Sequence, residues 1–95
     1  MKTQEILNRI TEFNLEKVPS NLLYTAKYIL SKELLINDEY RINHPMKIYK
    51  KARISLFNLD LYLNANEEEQ NLIETALNLL TFECLEFNKY YELEE

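Results

Sequence analysis

Glycine is missing from this chain altogether, and there is one cysteine and one histidine in 95 residues. Without glycine no glycine-rich loop can cradle a phosphate, which removes the dinucleotide and P-loop fingerprints. Tight I′ and II′ hairpin turns also lose their preferred residue, so a β-rich fold is disfavoured. A lone Cys84 excludes an intramolecular disulfide and any cysteine-rich zinc site. A lone His44 cannot supply the paired Glu-x-x-His ligands of carboxylate-bridged metal bundles. No apolar run approaches the length of a membrane span, and the opening "MKTQEILNRITEF" is too polar for a secretory signal. These absences set the expectation of a soluble, cytoplasmic protein without metal, cofactor or membrane partner.

What is present fits a small globular domain. Ninety-five residues make a single domain, 1–95, and a chain this short buries only about 60–65% of the surface its unfolded form exposes. A composition of 46% hydrophobic and 28% charged residues argues against wholesale disorder. Asparagine occurs 11 times. It is the next-best residue after glycine for left-handed helix ends, and Asn37 and Asn64 fall where such ends are wanted.

Four helical segments emerge, and the fold class expected is all-α, a single four-helix bundle. Ile6, Leu7, Ile10 and Phe13 recur at helical spacing over 3–17. "VPSN" then breaks the chain, with Pro19 as stop and Ser20 as cap of a helix over 21–36. That helix, "NLLYTAKYILSKELLI", is apolar around most of its circumference, as befits the centre of a bundle. Tyr24 and Tyr28, one turn apart, are expected to pack. After the polar connector "NDEYRINHP", Pro45 opens a third helix over 45–63. Asn66 and Glu69 form a capping-box pattern for a fourth helix over 67–91, and Glu67 and Glu68 favour its N-terminus. The third segment has a rival: Leu59, Leu61 and Leu63 alternate with polar residues as in a strand. Tyr49, Ala52, Leu56, Leu59 and Leu63 step by three and four over a longer window, which favours helix.

Charge is segregated along the chain. Residues 41–59 hold five basic residues and no acid, whereas 60–95 hold ten acids and one lysine, within a total of −5. At about 100° per residue, Lys47, Lys51, Ser55 and Asn58 share one face of the third helix. Ile48, Ala52, Leu56, Leu59 and Leu63 lie opposite. Ile54, Phe57 and Leu61 form a second apolar stripe with Lys50 at its edge. The second stripe is either covered by a neighbouring helix or left open as a surface for a partner, since exposed apolar stripes with polar edges often mark interfaces.

The candidate partner-binding residues are therefore Lys47, Lys50, Lys51, Ile54, Phe57 and Leu61. The expected role is that of a protein-binding module, regulatory, inhibitory or immunity-like, with a homodimer left open. Two alternatives stand beside it. The basic block 41–53 could contact phosphates, but it is set against an acidic remainder and lacks a short helix-turn-helix connector, so nucleic acid is disfavoured. The acidic helix 67–91, through Glu67, Glu68, Glu74 and Glu86, could instead mimic a phosphate backbone or dock on a basic protein. Glu83 falls inside an apolar arc with Ala76, Leu80 and Phe87. A buried carboxylate there would need a partner, with Arg53 as the candidate; the alternative is that the apolar arc is narrower there and leaves Glu83 outside it. Catalysis has little support: His44 sits in a connector, Ser20, Ser31 and Ser55 lack a nucleophile's context, and Cys84 reads as a buried, inert thiol.

Overall fold

The computed structural model describes residues 2–36 and 45–85, with side chains described over 4–36 and 46–85. The chain is all-helical there. It forms α1 (Lys2–Glu12), α2 (Ser20–Ile36), α3 (Pro45–Phe57), the single turn α4 (Asp60–Leu63) and α5 (Glu67–Leu85). No strand occurs among the described residues, so the strand alternative for 58–64 is not taken up. Asn37, Arg41 and His44, the remaining arc residue Phe87, and the helical extension over 86–91 with Glu86 lie outside the described residues.

The first helix is shorter than its periodicity suggests, ending at Glu12 rather than Lys17. Continued as a helix, the chain would point Leu15 about 180° away from Ile6 and about 140° away from Ile10. Unwound, it turns Phe13 and Leu15 against the core and buries Val18. The Phe13 amide closes the last turn on Arg9 and Ile10 carbonyls, and the Lys27 ammonium of α2 donates to the Thr11 carbonyl at 2.9 Å. At the next start, the amides of Leu22 and Leu23 both donate to the Pro19 carbonyl at 3.0 Å. Pro19 thus caps α2 through its backbone, and Ser20 lies inside the first turn instead of capping it.

Helix α2 occupies the centre, touching α1, α3 and α5. Its all-round apolarity is used on the inner arc, where Leu22, Leu23, Ala26, Ile29, Leu30 and Leu34 are buried. The Thr25 hydroxyl is satisfied by the Asn21 carbonyl at 3.0 Å. Its outer side is a correction to the expectation, because Tyr24 and Tyr28 are exposed. A tyrosine keeps its hydroxyl in water at little cost, and the Lys32 ammonium sits 5.9 Å from the Tyr28 ring centre.

The expected helix over 45–63 is in fact two pieces. The Asn58 side chain turns back to donate to the Ile54 carbonyl at 2.8 Å. The amides of Asn58 and Leu59 close tight i→i+3 bonds on Ser55 and Leu56. Leu59 is then extended (φ −83°, ψ 128°), and Asp60 starts the new turn. Asn64 ends α4 in the right-handed region (φ −91°, ψ −5°), not in the left-handed one foreseen for it. The break throws the periodic seam out of phase, so Leu63 is exposed although Ile48, Ala52 and Leu56 are fully buried.

Helix α5 begins with the capping box its sequence announces. The Glu69 amide donates to Asn66 Oδ1 at 2.8 Å, and the Asn66 amide donates to Glu69 Oε1 at 3.2 Å. Ile73, Ala76, Leu77, Leu80 and Cys84 form its buried face, and the Thr81 hydroxyl donates to the Leu77 carbonyl at 2.7 Å. Burial pushes the Cys84 thiol up to about 11; nearby Glu83 adds to this, while Arg9 and Lys27 oppose it. Such a thiol stays protonated and unreactive at neutral pH.

Candidate functional site

Helix α3 carries two apolar stripes, and the other described residues cover only one of them. The second contains Ile54 at 60% exposed and Phe57 at 37%, continuing in α4 with Leu61 at 49%. Lys50, Arg53, Ile54 and Phe57 line a shallow open hollow of about 360 Å³. Lys47 and Lys51 are also exposed, on the turns of α3 that precede Ile54. Apolar side chains edged by cations are thus presented to solvent along α3 and α4.

Phe57 is held in place by its neighbours. The Arg53 guanidinium lies 5.2 Å from the Phe57 ring centre and 5.7 Å from that of Tyr49. Phe57 and Tyr62 meet with centroids 5.4 Å apart and planes tilted by 43°. Tyr62 in turn donates its hydroxyl to Glu74 Oε2 at 2.9 Å, and Gln70 Nε2 donates to the Tyr62 carbonyl at 2.9 Å. The Tyr49 hydroxyl donates to Asn78 Oδ1. Desolvation raises the Tyr62 pKa most, the Glu74 carboxylate raises it further, and Arg53 pulls the other way. Cation–ring contacts and hydrogen bonds to α5 therefore fix an aromatic–arginine ladder. A face already ordered in this way loses less side-chain freedom when a partner arrives.

Not every residue singled out in the sequence falls on this face. Ser55, grouped with the lysines on the wheel, donates its hydroxyl to Glu33 Oε1 of α2 at 3.1 Å. Glu67 and Glu68 are exposed at the start of α5, where they line an open hollow with Asn71, Leu72 and Thr75. Glu74 is engaged by Tyr62, so it serves the α4–α5 junction. Glu83 is exposed, and Arg53 lies over aromatic rings instead of meeting it. Of the two readings of Glu83, the narrower arc is the one found: position 83 lies at the edge of the buried face of α5, and no Glu83–Arg53 pair forms.

Among the described residues the buried carboxylate is Glu33, at 8% exposed. Its signal was present in the sequence: it follows Ala26 by seven residues and Ile29 by four, in a helix apolar on nearly every side. Tyr62 and Tyr49, the residues that brace Phe57 and Arg53, were likewise not singled out as site residues.

Among the described residues no three His, Cys, Asp or Glu side chains gather into a group that could hold a metal ion. No helix among them is long and apolar enough to cross a membrane. The chemistry offered by the α3–α4 face is non-covalent: apolar area, aromatic edges and positive charge. Comparison with protein families, with curated proteins and with solved structures finds no match to this chain.

Proposed function

We propose that this protein acts in the cytoplasm as a protein-binding module with a regulatory, inhibitory or immunity-like role, its four longer helices forming a bundle that displays the outer face of α3 and α4. The observation that carries this reading is the uncovered stripe Ile54–Phe57–Leu61 beside Lys47, Lys50, Lys51 and Arg53. Arginine and aromatic side chains that are braced before contact are the usual energetic centres of protein interfaces. Charge complementarity favours an acidic partner, because α3 holds four cations and no acid over 45–57.

Phe57→Asp tests the reading directly. Affinity capture from the native host with the full chain should recover a protein that the Phe57→Asp chain fails to hold, while both chains unfold cooperatively at similar temperatures. Capture that Phe57→Asp leaves unchanged would reject the face. A nucleic-acid reading predicts instead an affinity for DNA or RNA that falls steeply with salt and weakens in Lys50→Glu and Lys51→Glu.

A further inference from the structure

The long acidic helix α5 also carries exposed apolar residues. Glu68, Leu72, Thr75, Leu79 and Phe82 follow one another at steps of four, three, four and three, the spacing at which one helix seats another. Leu79 and Phe82 are both exposed, and Leu72 is half-buried. Glu68 opens this stripe, and exposed Glu67 and Glu83 edge it. Helix α5 carries five glutamates and no base over 67–85, whereas α3 carries four bases and no acid.

The two helices touch along one side. Tyr49 meets Asn78, and Tyr62 of α4 meets Glu74, so numbering rises along α3–α4 as it falls along α5. A positive apolar stripe therefore runs antiparallel beside a negative one on the same molecule. Accepting the α3–α4 face as a docking surface, we propose that its partner is a second copy of this chain, with α3 of each copy lying over α5 of the other about a two-fold axis parallel to the helices. Pairing α3 on α3, or α5 on α5, would oppose like charges; crossing them opposes unlike charges twice. Such an axis preserves height along the helices. With Tyr49 level with Asn78, Lys47 comes within side-chain reach of Glu83 in the other copy, and Ile54 and Phe57 come against Leu72 and Thr75.

Sedimentation equilibrium on the full chain tests this pairing. The wild type should show a monomer–dimer equilibrium that weakens as salt rises. Lys47→Glu/Lys50→Glu in one chain, and Glu83→Lys in another, should each weaken the dimer by about tenfold or more, a single opposed charge pair being sufficient. Their far-UV circular dichroism should stay at the wild-type level. Mixing the two variant chains should restore a one-to-one dimer, because both crossed contacts then pair unlike charges again. A wild type that stays monomeric up to about 1 mM, or a mixture that stays monomeric, overturns the self-pairing. If Phe57→Asp still loses a captured protein in the first case, the docking face itself stands with a different partner.

Discussion

The inner and outer stripes of α3 are made from the same kinds of residue and meet opposite fates. Ile48, Ala52 and Leu56 are completely covered by α2 and α5, whereas Ile54 and Phe57, on the same thirteen-residue helix, stay exposed. Apolar content does not separate them. What does is which side of the helix the neighbours occupy, together with the polar groups placed at each boundary. Ser55 turns toward Glu33 on one flank and Tyr49 toward Asn78 on the other, so hydrogen bonds to α2 and α5 mark where the covered surface ends. Beyond those marks, Arg53 lies over Phe57. The inner stripe acts through burial and stability, and the outer one stays in contact with solvent.

Truncating the inner stripe should produce the largest effect. Leu56→Ala removes three carbons from a site with no solvent access, where such changes cost about 2–5 kcal/mol through lost transfer energy and the remaining cavity. In a chain of this size that is a large share of the total stability. Urea unfolding should show the midpoint falling sharply with little change in slope. A loss below about 0.5 kcal/mol, the range of an ordinary surface change, would mean that the inner stripe is not the core.

The boundary between the stripes should give an intermediate effect. Ser55→Ala withdraws a donor from the buried Glu33 carboxylate. Losing a hydrogen bond to a buried charged acceptor costs about 1–3 kcal/mol, and Ser55 sits on the exposed side of its own contact, which places the expected loss near the lower end. Ser55→Thr keeps the hydroxyl and should recover most of the stability. Equal losses from both substitutions would show that the hydroxyl at position 55 does not support Glu33.

Much of this architecture could be derived from the residues alone, and the failures share a cause. The central place of α2 and the Asn66–Glu69 cap follow from periodicity and from local hydrogen bonding, both of which act within a few residues. The break at Asn58 and Leu59 involves neither glycine nor proline. It depends on an asparagine side chain folding back and on Tyr62 reaching Glu74, a contact twelve residues away. The different fates of Glu83 and Glu33 have a related cause. Both lie among apolar neighbours in sequence, and the deciding fact is which side of each helix the neighbouring helices cover: Glu33 is buried and Glu83 is exposed. The candidate face itself, Ile54, Phe57 and Leu61, was identifiable as a stripe. Whether another part of the chain covers it depends on where α2 and α5 sit, and helix periodicity carries no such information.

The smallest expected effect is the one that separates the two stripes most clearly. Ile54→Ser exchanges a side chain 60% exposed for one of comparable helix propensity. In dilute solution the change in stability should stay within about 0.5 kcal/mol, as for other surface substitutions. At high protein concentration the two chains should diverge. A wild type that pairs with itself gains stability by mass action, whereas Ile54→Ser gains less because its contact area is reduced. Thermal unfolding measured over a range of concentrations therefore reads the outer stripe without disturbing the inner one. Parallel concentration dependence in both chains would exclude Ile54 from any contact between copies, and a large loss in dilute solution would assign it to the core after all.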